Sequence, residues 1–565
     1  MKLYSTMQLA KNALFAAQTG IQVASNNIAN AETPGYVRER AILTPSETQK
    51  LGTLVAGTGV RVDGIVRQVD EHLQERMRYA LSDMAHGEAQ ESVYVQLESA
   101  IGELSDSDLS TALNEFQGSL NDVLNQPEDS SVRGLAVLQG DRLAETIRGL
   151  DRRVSDLRAM TNDRVVDATA EMNELITQID SLNTRIIRIE QGGAITSDAV
   201  GLRDKRDKAL EELAEYVNIK VKEQASGGVN VFVGGTYLIF DGATQLVQTV
   251  EEMDRRHLVE EPRLSKTDAP LEPSSGQLAG LLAARDQVLG KFMDDLDSFT
   301  QSLIFEFNKL HASGQGLSGF SEFRSEHAIA DVTVPLDEAG LEYTPVDGSF
   351  QVQVVNKKSG LSKTTEVEVQ LSGMDDDTTA ESLVASLDAI DGLSAETEAN
   401  GRILLESDSS ELEFAFGEDS SGVLAALGIN TFFTGTTGAD VKVQDALRED
   451  PGKLAISSGG VGHDTRNGEQ LAQMLTMPLE SRDGASLQSI HQEWMGATAQ
   501  ESSLAQAVAE GHRSFHSTLE AEHLGLSGVS LDEEAINMMN FQRQYQAAAK
   551  IVSTISELLE TLLKM

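Results

Sequence analysis

Three histidines near the C-terminal end have a spacing that suits a divalent metal ion. His512 and His516 stand at i and i+4, and His523 at i+11, so a single helix would carry the first two on one face. The HExxH pattern of zinc hydrolases is absent, and Arg513 follows directly after the first histidine. The spacing leaves a secreted metal-dependent hydrolase as one alternative. Because the HExxH pattern is absent, we expect surface histidines and no metal site.

Other patterns that carry chemistry do not occur in the sequence. The Asp375–Asp377 run lacks the glycine and the terminal glutamate of a calcium-binding loop, so it predicts a turn and the N-cap of a helix that begins near Thr379. There is no GxxxxGK[ST] phosphate loop, no GxSxG nucleophile elbow and no cysteine. We expect no catalytic residue, no cofactor and no enzymatic activity.

The charge and the apolar runs limit the partners of the chain. Its 565 residues have a formal net charge of −44, which repels a nucleic acid. The densest apolar run, Leu278–Ala284, is far shorter than the roughly 20 residues of a membrane span. The N-terminal run Ala13–Ala17 is too short for a cleavable signal peptide. We therefore expect a soluble protein with no nucleic-acid partner and no membrane partner.

Both ends of the chain carry apolar residues at alternating steps of three and four, which predicts a helix that packs along one face. The N-terminal stripe consists of Leu3, Met7, Ala10, Leu14, Ala17, Ile21, Ala24 and Ile28. The C-terminal stripe consists of Met538, Phe541, Tyr545, Ala548, Val552, Ile555, Leu559 and Leu562. Two amphipathic helices docked separately on a globular core would show the same period. We interpret the stripes as assembly surfaces of two terminal helices that pair with each other.

The middle of the chain alternates between helical and strand-like patterns. Steps of three and four predict long helices at 135–190 and 197–216, and a period of two predicts a small β excursion at 217–275. A second β-rich region, 331–435, has few bases and many carboxylates. Its predicted strands are Phe350–Asn356, Thr364–Leu371 and Leu412–Phe416, with a helix at Thr379–Ile390.

These patterns predict a mainly α fold with inserted β structure. The terminal heptad helices form an α-helical coiled coil, the centre is a long helical-bundle rod domain, and a β-rich domain is inserted in it. The predicted domains are 1–68 paired with 515–565, then 69–330 together with 436–514, and 331–435 as the acidic insertion.

Two motifs at the ends of the chain resemble the axial proteins of the bacterial flagellum, which are its rod, hook and hook-associated proteins. Ser25–Arg38 reads SNNIANAETPGYVR, and Ser527–Glu534 reads SGVSLDEE before FQRQYQAAAKIV. The N-terminal motif residues are Ser25, Asn26, Asn27, Ile28, Ala29, Asn30, Pro34, Gly35 and Tyr36. In the middle, LRDKRDKALEELAEYVNIKV from Leu202, GINTFFTG from Gly428, and Leu109–Glu128 with Arg133–Leu143 are similar to the hook-associated members that join hook to filament.

The resemblance implies a structural adaptor that joins the hook to the filament. It implies self-assembly through the terminal helices into a ring or helical array, with hook protein and other hook-associated proteins as partners. It also implies an outer position for the β-rich insertion, a cytoplasmic export chaperone at the C-terminal helix, and an extracellular location reached by type III export without a cleaved signal. The alternatives are a hook or distal rod protein, the metal-dependent hydrolase, and a glycan-binding adhesin that uses the inserted domain.

The stripes lead to a prediction about the free protein. Burying the eight C-terminal stripe residues gains less free energy than ordering the helix costs, so the isolated helix is marginal in water. We therefore expect residues 1–30 and 535–565 to be largely disordered in the monomer and to fold against neighbouring subunits.

Leu559→Asp should leave the melting of the monomer unchanged and abolish filament attachment, because assembly would bury the carboxylate without a partner. Hydrogen exchange on monomer and assembly tests this prediction. Strong protection of both termini in the monomer would contradict it.

Overall fold

The computed structural model describes residues 2–33, 35–51, 54–102, 108–190, 199–373, 376–460 and 464–564. Its helices are α1 Lys2–Ala29, α2 Glu71–Ile101, α3 Leu109–Asn125, α4 Ser130–Glu190, α5 Val200–Tyr216, α6 Gln277–Ala283, α7 Gly290–Ala312, α8 Ala380–Asp388, α9 Val423–Leu427, α10 Asp445–Glu449, α11 Arg466–Gln473, α12 Leu487–Ser527 and α13 Leu531–Lys564. A π-helical segment, Ala284–Leu289, joins α6 to α7, and short 3-10 turns cover Pro451–Lys453 and Glu480–Arg482.

The strands are short and lie between the long helices. They are β1 Glu39–Pro45, β2 Thr48–Leu51, β3 Leu54–Gly57, β4 Val60–Arg67, β5 Ile219–Glu223, β6 Val229–Val233, β7 Thr236–Phe240, β8 Ala243–Thr244, β9 Val247–Asp254, β10 His257–Leu264, β11 Glu322–Arg324, β12 Gly348–Asn356, β13 Ser362–Val369, β14 Leu393–Thr397, β15 Ile403–Ser407, β16 Leu412–Gly417, β17 Phe433–Thr434 and β18 Lys442–Val443. The fold is mainly α with inserted β structure, as the sequence patterns predicted.

The described chain divides into two compact units. The first unit comprises Met1–Tyr94, Ala159–Arg285 and Ser503–Met565, and the second comprises Val95–Arg158 and Asp286–Ser502. Because α2, α4 and α12 each contribute residues to both units, periodicity along one helix does not reveal this division.

In the first unit, α1 and α13 pack along each other. Ala10, Ala17 and Ala24, which recur every seventh residue of the N-terminal stripe, are buried. A Cβ atom added to Gly20 would come within 2.6 Å of the Phe541 ring. Small residues on α1 therefore make room for larger side chains of α13, and the two backbones can approach closely.

Antiparallel strands complete the first unit. β1 pairs with β4, with a bulge between Ile42 and Leu43, and β2 pairs with β3. β5 to β8 form a four-stranded sheet and β9 pairs with β10. The buried side chains of β5, β6, β7, β9 and β10 pack with those of α4 and α5 in one apolar cluster that includes Val165, Leu213 and Val231.

The β-rich part of the second unit has two three-stranded sheets, in the orders β13-β12-β16 and β11-β15-β14. The strands predicted near 350, 364 and 412 are present as β12, β13 and β16. The predicted helix is α8, but the expectation that the aspartate run caps it was wrong. Thr379 is the N-cap, and its hydroxyl accepts a hydrogen bond from the Ser382 N–H at 3.1 Å. Asp375 lies outside the described residues.

The core of this β-rich part does not end at residues 331 and 435. Phe320 and Phe323 precede the predicted domain, yet they belong to the same buried cluster as its strands. At the other end, the Phe432 ring packs 5.4 Å from Phe116 of α3 and 5.0 Å from Phe307 of α7. We therefore propose that the insertion spans about 320–429 and that the following residues belong to the helical part of the second unit.

This revised boundary predicts the effect of a single substitution. Phe432→Ala should lower the free energy of unfolding of the helical part by about 3–5 kcal/mol, because it empties a ring cluster between α3 and α7. Leu361→Ala is the matched control, since Leu361 is 74% exposed in the turn between β12 and β13 and its loss should change the free energy by less than about 0.5 kcal/mol. Chemical denaturation followed by circular dichroism measures both, and equal effects would contradict the boundary.

Candidate functional site

The two motifs that bear the family resemblance meet in the first unit. The end of α1 and the segment from Gly35 to β1 lie against Ser527 and the first turn of α13. The sequence S-x-x-E from Ser530 to Glu533 is typical of a helix start, and the Glu533 N–H lies 3.5 Å from the Ser530 hydroxyl oxygen. The acidic first turn of α13 also suits the positive end of the helix dipole. Segments separated by about five hundred residues thus form one site, which we call the latch.

Arg38 is the central cation of the latch. Its Nε and Nη2 donate to Oε1 of Glu534 at 2.9 and 2.6 Å, and its Nη1 lies 2.9 Å from Oε2 of Glu533. The Glu534 side chain is 4% exposed, whereas that of Glu533 is 62% exposed. The Arg38 backbone N–H also donates to the carbonyl of Ser527 at 3.2 Å. Side chain and backbone of one residue therefore join the N-terminal segment to both sides of the α12–α13 turn.

Asn27 is the buried polar residue that completes the latch. Its side chain is 0% exposed, and Nδ2 donates to Oε2 of Glu534 and to the carbonyl of Glu39, both at 3.0 Å. Its Oδ1 accepts from the Tyr36 hydroxyl and from the Glu39 N–H, both at 2.9 Å. Because an asparagine amide has two N–H donors and one oxygen with two lone pairs, every hydrogen-bonding position of Asn27 is occupied. A carboxylate of the same shape would lack the donors.

The surroundings shift the pKa values of Tyr36, Arg38 and Glu39. Burial, together with the nearby carboxylate of Glu39, raises the pKa of Tyr36 far above its usual range, so the hydroxyl remains a donor to Asn27. Burial also raises the pKa of Glu39. For Arg38, burial lowers the pKa, but the hydrogen bonds and the negative charges of Glu534 and Glu533 together outweigh it and the net shift is upward. The guanidinium therefore remains charged beside its carboxylates.

The remaining motif residues surround Asn27. Asn30 donates from its side chain to the carbonyl of Asn26 at 2.9 Å, which closes the last turn of α1. Gly35 has φ 76°, a left-handed conformation that favours glycine. Ser25, Asn26 and Ala29 are exposed, and Ile28 is half-buried. Pro34 lies outside the described residues.

The stripe residues face the partner helix to different extents. Ala10, Ala17, Ala24, Ala548 and Ile555 are buried; Leu14, Ile21, Ile28, Met538, Phe541 and Val552 are half-buried; Met7, Tyr545 and Leu559 are exposed. Leu3 and Leu562 lie in α1 and α13, but their side chains are outside the described part. α1 and α13 pack along each other within one chain, while the role of the two stripes as assembly surfaces stays a prediction.

The stripe pattern did not single out Arg38, Glu533 or Glu534, although two of these three carry the central ion pair of the latch. Their signal in the sequence was weak, because each is one charge among many in a chain with 24% charged residues. A clearer signal is the scarcity of charge in the quoted N-terminal motif, in which Arg38 is the single base.

The three histidines lie on α12 and are half-buried, so the expectation that they are surface residues was wrong. Nε2 of His516 and Nε2 of His523 are buried without a hydrogen-bond partner. Burial lowers the pKa of His523. Across the described ranges, no group of three or more His, Asp or Glu side chains is arranged to hold a metal ion.

No helix in the described part is both long enough and apolar enough to cross a membrane.

Three family models match separate parts of the chain. The model described as "Flagellar hook-associated protein FlgK helical domain" matches residues 94–322. The models "Flagella basal body rod protein" and "Flagellar basal body rod FlgEFG protein C-terminal" match residues 7–36 and 521–565. The latter two segments contain Asn27, Tyr36 and Glu534 of the latch.

Whole-chain comparisons agree with these matches. The chain is 24% identical to flagellar hook-associated protein 1 of Bacillus subtilis over 98% of this chain and 96% of that protein. It is 23% identical to flagellar hook-associated protein 1 of Escherichia coli over 99% of this chain and all of that protein.

A solved structure, the flagellar hook junction protein FlgK from Burkholderia pseudomallei, covers 80% of this chain and 100% of its own with a TM-score of 0.50 at 15% identity, which supports the fold. The chain is therefore a homologue of flagellar hook-associated protein 1, within the axial proteins of the bacterial flagellum.

Proposed function

We propose that this protein is a structural adaptor of the bacterial flagellum that joins the hook to the filament. The observation that carries the proposal is the latch, in which the two motifs shared with axial proteins bind each other through Arg38, Asn27 and Glu534. The latch fixes where α1 and α13 begin to pair, and hence which faces of the two helices remain outward. An adaptor needs such a defined outward surface, because it must fit subunits of two kinds.

The outward faces of the terminal helices have the composition of a contact surface. Tyr4 and Phe15 of α1, and Ile536, Met539 and Leu558 of α13, are large apolar side chains that are exposed in the single chain. α1 carries no carboxylate at all, in a chain with a net charge of −44. Large apolar side chains that are exposed in this number on two paired helices suit a protein interface. We assign it to contacts with other copies, with the hook protein and with other hook-associated proteins.

The C-terminal helix also suits an export chaperone. α13 exposes Ile536, Met539, Ile551 and Leu558 along its length, and an amphipathic helix of this type fits an apolar groove. On this proposal a cytoplasmic chaperone binds α13 before export, and the type III apparatus then delivers the chain to the flagellum outside the cell without cleavage. Its role is structural rather than catalytic.

The latch modifies the expectation that both termini are disordered in the monomer. Asn27 and Glu534 form a buried polar contact that the stripes did not reveal, and it opposes separation of the helices at that point. We therefore expect the latch end of α1 and α13 to be held in the monomer, while the far ends, near Lys2 and Lys564, fray until neighbouring subunits cover them.

Two substitutions distinguish the contribution of the buried ion pair Arg38–Glu534 from that of the exposed carboxylate of Glu533. Arg38→Met leaves the buried Glu534 carboxylate without its cation and should destabilise the α1–α13 pairing by about 3–5 kcal/mol. Glu533→Gln removes a mainly exposed partner and should cost at most about 1 kcal/mol.

Hydrogen exchange at Ala17–Asn27 and motility of cells that carry each variant measure the two effects. We expect Arg38→Met to lose protection and filament attachment, and Glu533→Gln to keep both. Normal attachment with Arg38→Met would contradict the proposed role of the latch.

A further inference from the structure

A groove opens beside the latch in the first unit. It has a volume of about 740 Å³ and lies between α1, the β1–β4 pair and the first three turns of α13. Its apolar wall comprises Gly20, Val23, Ala41, Ile42, Leu43 and Phe541. Arg38, Glu39 and Glu534 of the latch form its polar end. A groove of this size accepts a large side chain from another molecule.

The same chain exposes a side chain that fits such a groove. Phe15 is 63% exposed on the face of α1 that points away from the stripe. Gln8, Lys11 and Gln18 are exposed residues on the same side of α1, so polar side chains flank the ring. An exposed phenyl ring flanked by polar side chains has the form of an interface anchor.

Charge complements shape at the two surfaces. Lys11 lies one helical turn before Phe15, and α1 carries no acidic residue. The start of α13, next to the polar end of the groove, presents the exposed residues Asp532 and Glu533. When the ring enters the groove, Lys11 can approach these carboxylates. Two copies of a chain with a net charge of −44 repel each other at most other orientations, so this pairing of opposite charges selects one orientation.

We propose that the groove binds Phe15 of a second copy of this chain. The inference rests on the proposed function and names the contact by which copies join. Because anchor and groove are different surfaces, the contact is head-to-tail: each bound copy still offers its own groove or its own Phe15. Such a contact propagates into a ring or a helical array rather than closing as a two-fold dimer.

The test uses full-length protein and three variants in sedimentation velocity. Phe15→Ala removes the anchor, and Ala41→Trp fills the groove with a side chain that suits a strand. Each should raise the dissociation constant for self-association at least tenfold. Gln18→Ala, on the same face of α1, is the matched control and should associate as the wild type does. If Ala41→Trp does not melt like the wild type, Leu43→Lys, at an exposed edge of the groove, replaces it.

Mixing the two defective variants is the decisive step. Phe15→Ala retains an open groove and Ala41→Trp retains its Phe15, so an equal mixture should form a one-to-one dimer that does not grow. No dimer in the mixture, wild-type association of either variant, or a wild type that stays monomeric at every concentration would overturn the inference. If the variants differ from the wild type only when another flagellar protein is added, that protein is the occupant of the groove. This result would also overturn the inference.

Failure of the inference about Phe15 and the groove can be distinguished from failure of the proposed function. If Phe15→Ala associates normally while Arg38→Met loses filament attachment, the proposed adaptor role stands and only the assigned contact fails.

Discussion

A buried charge that must stay paired is the constraint on which the rest of the first unit depends. Glu534 lies in the first turn of α13 with almost no exposure, where an unpaired carboxylate would cost several kcal/mol. Arg38 and Asn27 supply its partners from the other end of the chain. Neither the end of α1 nor the start of α13 can shift along the other without breaking these bonds. The latch therefore sets the register in which the alanines of α1 meet the larger side chains of α13.

Register matters because the helix pair has little tolerance for sliding. Phe541 lies over Gly20, where any side chain would clash with the ring. A shift by one turn would place the ring against a residue with a Cβ atom and would expose the buried alanines. The polar latch supplies specificity, and the apolar stripe supplies contact area along two helices. Together they leave a defined outer surface, which is what a subunit needs in order to fit different neighbours above and below it.

The sequence predicted what is local and missed what is distant. The stripes of α1 and α13, the strands near 350, 364 and 412 and the mainly α fold follow from periodicity, because each depends on side chains a few residues apart. The ion pair of Arg38 with Glu534 joins residues 496 positions apart, so no local pattern contains it. The sequence patterns placed Phe432 in the β-rich insertion for the same reason. Its ring packs against Phe116 and Phe307, which are far from it in the sequence. The histidines of α12 were placed at the surface because spacing along a helix does not tell which neighbouring helices cover it.

The central claim is that Arg38 and Glu534 act as a unit that holds the ends of the chain together. A double-mutant cycle with Arg38→Gln, Glu534→Gln and the double variant tests it most directly, with the free energy of local opening at the end of α1 measured by hydrogen exchange. The account predicts a coupling energy of at least about 2 kcal/mol, so that the double variant is less destabilised than the sum of the single variants. A coupling energy below about 0.5 kcal/mol would show that the two residues act independently and would contradict the account.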